Sequence, residues 1–198
     1  MTAGITTGIV LFDGAEELDW AGPFEVFTMA RRDGDTVVTI AESGGPVTGA
    51  KGLRVLPDHT FATAPALDVV LVPGGRGTRR ERTNPVMLEY LRRVAPGCTW
   101  VTSVCTGAFV LHGAGFLTGR RATTHWAAMD EFRGFAPDVE LLEHVRYVRD
   151  GEVVTSAGVS AGIDMALWLV GQTVSVEHAR TTQYLMEYDP APPYAGLV

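Results

Sequence analysis

The sequence predicts an α/β fold built on a mostly parallel sheet. Short apolar runs at residues 8–12, 68–72 and 99–104 read as strands buried on both faces. Segments with apolar residues at helical spacing separate them. Glycine-bearing turns, Asp13-Gly14 and Pro73-Gly74-Gly75, follow the strands.

Residues 8–12 (Gly-Ile-Val-Leu-Phe) form the first strand. Phe24, Phe27 and Met29-Ala30 give helical spacing, and Pro23 suits a first helical turn. Asp19 then falls in the loop leaving the first strand. It is either an N-cap or surface acid, or a carboxylate at the strand's C-terminal end, where α/β sheets place their sites. Residues 36–41 are a second strand, and the glycine-rich stretch 43–56 reads as a β-excursion rather than a helix. The strand at 68–72 ends in Pro73-Gly74-Gly75-Arg76-Gly77, a tight turn or a presenter of backbone N–H donors. The phosphate patterns GxGxxG and Walker A are absent from it.

Asn84-Pro85 opens a helix reaching Ala95. Residues 99–104 are a strand, 108–114 a helix, 120–124 a short strand and 125–132 a helix. Strands 144–149 and 152–156 flank the turn Asp150-Gly151. Helices follow at 161–170 and 176–188, with Ser175 as N-cap of the second. The proline-rich tail from Asp189 cannot be helical and reads as an extended strap. No internal repeat, low-complexity segment or linker interrupts the chain, which at 198 residues is expected to form one domain.

Composition narrows the function classes. Apolar residues make up 46% and charged residues 20%, an ordinary globular balance. The net charge of −7 argues against a nucleic-acid surface. The densest basic patch, Arg76, Arg79, Arg80 and Arg82, is interrupted by Glu81 and reads as a solvated loop or helix start rather than a phosphate site. No apolar run approaches the roughly 20 residues of a membrane helix, and residues 1–7 carry no basic leader, so a cytoplasmic protein with no membrane partner is expected. The two cysteines, Cys98 and Cys105, lie about 23 Å apart if the strand joins them, at ~3.3 Å per residue. They cannot form an intrachain disulfide, which fits a reducing compartment. The histidines His59, His112, His125, His144 and His178 are scattered without ligand spacing, so no metal site is expected.

The chain is organised around Cys105. It stands between a buried strand and a helix that begins after Thr106-Gly107. Small residues here let a strand turn sharply into a helix and push one side chain out, the pattern of a nucleophile elbow. A helix N-terminus favours a thiolate, so a depressed thiol pKa is expected; if such a thiol is exposed, it is open to oxidation to sulfenic or sulfinic acid. The alternative is a buried cysteine acting as a small hydrophobe. A cysteine nucleophile needs a proton acceptor and donors for developing charge. Asp19 is the acid placed nearest the strand ends. Gly75 and Thr106 are candidate backbone N–H donors. His125, beside Trp126, is a general base, an orienting residue or simply a core histidine. Trp20, Trp126 and Trp168 are candidate pocket walls or ordinary core residues.

Four segments together carry a resemblance: Ser103-Val-Cys-Thr-Gly107, Arg121-Ala-Thr-Thr-His-Trp126, Leu18-Asp-Trp-Ala-Gly-Pro-Phe-Glu-Val-Phe27 and Leu71-Val-Pro-Gly-Gly75. The sequence resembles the ThiJ/PfpI group of the class I glutamine amidotransferase-like superfamily, through essentially the whole chain and including the tail from Glu187 to Tyr194. Within it, the motifs are most similar to the isocyanide hydratase branch. The resemblance implies a flavodoxin-like three-layer sandwich, a homodimer, and Cys105 as the elbow cysteine. Thr106 follows the cysteine as in isocyanide hydratases, where the PfpI-type proteases have histidine, and this argues against peptidase activity. The acid touching the cysteine falls on Asp19, where the deglycase branch has Glu. The backbone donors fall on Gly75 and Thr106, and His125 takes a supporting place at most.

The activity so implied is hydration of an isocyanide to an N-substituted formamide. Cys105 would attack the terminal carbon to give a thioimidate, Asp19 would shuttle protons, and Thr106 would position substrate or water, with no metal or organic cofactor required. Two rivals remain. The same motifs occur in the ligand-sensing domains of AraC-type regulators, which continue into a helix-turn-helix region that this acidic chain, ending at Val198, is not expected to have. Glyoxalase or deglycase chemistry on reactive carbonyls would use the same cysteine.

Overall fold

The computed structural model describes residues 4–189. From edge to edge its main sheet holds β10 (Tyr147–Asp150), β11 (Val153–Ser156), β7 (Trp100–Val104), β6 (Val69–Val72), β1 (Thr6–Val10), β2 (Thr36–Ala41) and β5 (His59–Thr60). All neighbours run parallel except β10 against β11, whose antiparallel pairing follows from the two-residue turn between them.

Alternation along the strands assigns side chains to two cores. Ile9, Leu11, Val69, Leu71 and Val104 point to one face, where α1 (Glu17–Met29), α6 (Ala161–Thr173) and α7 (Val176–Leu185) pack. Val10, Phe12, Val70, Val72 and Val101 point to the other, under α3 (Pro85–Val94), α4 (Gly107–Gly113) and α5 (Met129–Phe135). Helices on both faces of a mostly parallel sheet make the flavodoxin-like sandwich that the motifs implied. A four-residue helix α2 (Thr78–Glu81) lies against α4. Two small ribbons complete the chain: β3 (Val47–Thr48) with β4 (Arg54–Val55), inside the expected β-excursion, and β8 (Arg121–Ala122) with β9 (Glu140–Leu141).

Several expectations need correction. Helix α1 starts at Glu17, not near Pro23, so Asp19 sits in its first turn rather than in a loop. The buried face of α1 is Asp19, Gly22, Pro23, Val26 and Phe27, a regular helical stripe whose first member is a carboxylate. The expected strand at 120–124 shrinks to β8, because Thr123 and Thr124 bond instead to the end of the main sheet: Thr123 N–H donates to Thr155 Oγ1 at 2.8 Å, and Thr124 Oγ1 donates to the Cys105 carbonyl at 2.8 Å. The expected helix at 125–132 is a 3-10 turn, Trp126–Ala128, followed by α5. Ser175 caps α7 as expected, accepting the His178 N–H at 3.1 Å. The strap expected from Asp189 onward falls, past that residue, outside the described residues.

Candidate active site

Four strand ends meet at the C-terminal edge of the sheet, and each delivers one part of the site. The segment after β1 brings Asp19, the turn after β6 brings Gly74 and Gly75, Cys105 directly follows β7, and the loop after β11 brings Val159. Gly75, Cys105 and Val159 line a cleft of about 610 Å³, with Asp19 fully buried. The cleft walls also include Glu16, Lys51, Arg76, Arg79 and His125.

Cys105 adopts φ 55°, the left-handed region that non-glycine residues rarely occupy. Both of its backbone groups are held there. Its N–H is shared between the Ser156 and Ala157 carbonyls, each at 3.1 Å, and its carbonyl receives the Thr124 hydroxyl. Such strain persists only where surrounding bonds over-determine it, and costs about 1–3 kcal/mol. The helix can follow at once because residue 107 is glycine: a Cβ there would lie 2.2 Å from the Val72 carbonyl oxygen. Cys105 therefore stands at a strained backbone turn between β7 and α4.

Asp19 is fully buried. Its Oδ2 accepts the Gly74 N–H at 2.9 Å, whereas Oδ1 has no N–H or O–H partner among the described residues. The side chain facing this carboxyl is Cys105. A Cβ at residue 74 would stand 2.6 Å from the Thr106 nitrogen and 2.7 Å from both Asp19 Oδ2 and Cys105 Cβ. Gly74 thus keeps the acid and the thiol adjacent.

Burial dominates the electrostatics. It pushes the Asp19 carboxyl up to about 7, against the opposing pull of the Gly74 N–H and the thiol. It also pushes the Cys105 thiol up to about 12, with the nearby Asp19 charge adding to the rise. Burial thus opposes the thiolate that the helix N-terminus was expected to favour. The N–H groups of Thr106 and Val159 favour a charged sulfur, but burial and the neighbouring carboxyl outweigh them. At 7% exposure Cys105 is also not the open, low-pKa thiol that oxidises readily.

The expected backbone donors are not open to solvent. Gly75 N–H donates to Thr106 Oγ1 at 3.0 Å, because the Thr106 side chain folds back over the glycine turn. The buried Thr78 hydroxyl donates to the Gly75 carbonyl at 2.7 Å and lies 3.1 Å from Thr106 Oγ1. The Thr106 N–H points toward the Cys105 sulfur. His125 lines the cleft, with Nδ1 accepting the Ala127 N–H at 3.1 Å and its ring against Gly158. That bond leaves Nε2 to carry the proton of the neutral ring. Trp20, Trp126 and Trp168 do not line this cleft; Trp126 is 80% exposed, and Trp168 packs on Trp100 and Tyr147. Among the described residues, no three His, Cys, Asp or Glu side chains converge as a metal site would need.

Thr78 and Val159 escaped the sequence reading, whereas Gly74 was read there only as half of a glycine pair able to present N–H groups. Gly74 and Thr78 lie in or beside the glycine turn already noted, so proximity to that turn was their only signal. Val159, at φ 46°, is a β-branched residue in a conformation such residues avoid, which no sequence pattern announces.

A profile of the DJ-1/PfpI family matches residues 7–172. The chain belongs to the DJ-1/PfpI family. This DJ-1/PfpI chain is 41% identical to an isonitrile hydratase of Pseudomonas putida over 188 residues, covering 94% of the chain and 80% of that protein. It is 34% identical to the HTH-type transcriptional regulator CdhR of Pseudomonas aeruginosa, over 67% of the chain but only 39% of the regulator. The crystal structure of a ThiJ/PfpI family protein from Pseudomonas syringae superposes with a TM-score of 0.89 at 32% identity, covering 99% of this chain and 80% of that one. The family thus holds both enzymes and regulators.

Proposed function

We propose that this DJ-1/PfpI chain is an isocyanide hydratase, converting R–N≡C and water to R–NH–CHO. The observation that carries the reading is the buried Asp19 carboxyl set against the Cys105 thiol at a strained elbow. The similarity to an isonitrile hydratase over nearly the whole chain supports it.

The two side chains supply what the reaction needs. The terminal carbon of an isocyanide is both nucleophilic and electrophilic, so it must gain a proton and a bond to sulfur. Asp19 takes the thiol proton as Cys105 attacks and passes it to that carbon, giving the thioimidate R–N=CH–S–Cys105. Moving one proton between two adjacent buried groups creates no net charge in the site, which suits a thiol that is neutral at rest. Water then adds to the thioimidate carbon while Asp19 relays a proton to nitrogen. The C–S bond breaks, the sulfur recovers its proton, and the formamide leaves. Thr106 positions the water or substrate, and Gly75 N–H becomes a donor when the Thr106 hydroxyl turns away. His125 supports the cleft wall without touching the reacting atoms. On the pattern of its family, the chain is expected to work as a cytoplasmic homodimer.

The test is formamide production from an aryl isocyanide by the purified, reduced protein, with Cys105→Ala alongside. Formamide from wild type and none from the variant supports the reading. Turnover that survives Cys105→Ala removes the nucleophile. No turnover by a folded, reduced wild type removes the hydratase and directs attention to carbonyl substrates such as methylglyoxal, or to ligand sensing without catalysis.

A further inference from the structure

The basic patch of the sequence does not lie wholly in solvent. Arg80 pairs with Glu81, and the Arg82 guanidinium stacks 4.2 Å above the Phe135 ring. Arg76 and Arg79 instead line the cleft that leads to Cys105, and Lys51 joins them from the β3–β4 excursion. The cleft wall therefore carries three cationic side chains, two of them paired with carboxylates, Lys51 with Glu16 and Arg79 with Glu131, in a chain whose net charge is −7.

The three cations differ in what holds them. Lys51 Nζ lies 2.6 Å from Glu16. Arg79 is clamped by Glu131, sits 4.7 Å over the Phe109 ring, and reaches the Gly75 carbonyl at 3.4 Å, above the turn that faces Cys105. Arg76 is exposed and makes no ion pair or side-chain hydrogen bond among the described residues. Arg76 is thus the lining cation whose charge is left unneutralised, and such a charge favours an anionic ligand over a neutral one.

We propose that the cleft admits anionic small molecules to Cys105 in preference to neutral ones, with Arg76 as the ion-pair partner. The inference rests on the hydratase reading for its chemistry, and on that reading the substrate is an isocyanide whose R group carries a carboxylate. The carboxylate takes no part in bond making. It orients the isocyano carbon toward the sulfur, with Arg79 and Lys51 contributing charge rather than a direct bond.

One arm of the test is independent of turnover. Iodoacetate and iodoacetamide differ chiefly in charge, and their rates of alkylation at Cys105 are read by mass spectrometry of its peptide, with glutathione as the free-thiol reference. The ratio of anionic to neutral rate at Cys105 is expected to exceed that of glutathione by about tenfold. It should fall toward the glutathione value in Arg76→Gln and in about 1 M salt, where the screening length is ~3 Å. Arg180→Gln on α7, a cation outside the cleft, should leave the ratio unchanged. A ratio at or below that of glutathione overturns the proposal.

The second arm compares kcat/KM for 4-isocyanobenzoate and phenyl isocyanide. Wild type is expected to favour the carboxylate, mainly through KM, and Arg76→Gln to erase the preference. Equal kcat/KM values overturn the assignment of a carboxylated substrate. If neither isocyanide is turned over while the alkylation preference stands, the hydratase reading fails and the anion-selective entrance is retained.

Discussion

Asp19 places Oδ2 on the Gly74 N–H and sets its fully buried carboxyl against the Cys105 thiol. The two groups titrate as a unit, so the first proton to leave belongs to the pair. With the carboxyl raised to about 7 and the thiol to about 12, the form that bears one proton prevails between those values.

The pH profile follows. The reactive form has lost the first proton, so kcat/KM should rise with pH through about 7 and then level. Asp19→Asn cannot accept the thiol proton, so its residual activity should be lower and should rise only in the alkaline range where the thiol itself ionises. A wild-type profile that is flat from pH 5 to 9 would remove Asp19 from the proton path.

Stability should carry the same signature. The Asp19 carboxyl titrates at 3.8 in its ordinary state and at about 7 when folded, so between these values the folded chain keeps a proton that the unfolded chain has lost. The contribution is full below about pH 4 and is lost as pH rises through 7. At 1.36 kcal/mol per unit it amounts to at most about 4 kcal/mol. The difference in urea-unfolding free energy between wild type and Asp19→Asn should therefore shift toward the variant as pH is raised from 4 to 8.

Gly74 is required for space, not for an unusual φ. In Gly74→Ala the new methyl must push back the Thr106 backbone, the Asp19 carboxyl or Cys105. Overpacking of this kind costs about 1–3 kcal/mol. Formamide production should fall far more than the denaturation midpoint, because the acid and thiol separate before the fold fails.

The Thr106 hydroxyl accepts the Gly75 N–H, and Thr106→Val deletes that partner. A loss of about 1–2 kcal/mol is expected in urea unfolding. Thr106→Ser, which keeps the hydroxyl, should recover most of it.

Much of this was legible in the residues. The apolar runs exposed the central strands, and the Cys105-Thr106-Gly107 segment exposed the junction between a strand and a helix, because both patterns are local. Helix α1 was read too short for a physical reason. Its buried stripe opens with Asp19, and a search for apolar spacing passes over a carboxylate. The thiol pKa was read in the wrong direction because a helix N-terminus is visible in sequence while burial beside a second acid is not. The engagement of Gly75 by Thr106 spans 31 residues and leaves no local trace. The same holds for the placing of Arg76 and Arg79: the patch was visible, but the cleft it faces is built by other strands.

A site assembled from four strand ends also has consequences for how the chain acquires it. Residue 19 must meet residue 74, and residue 105 must meet the loop after residue 156, through a mostly parallel sheet whose parallel pairings are all distant in sequence. Such pairings form slowly, because each closes a long loop before any contact rewards it. The thiol reaches its native surroundings only when the last of these segments docks. Its rate of reaction with a labelling reagent during refolding is therefore a clock for completion of the sheet, and no N-terminal fragment ending before β11 should show the native rate.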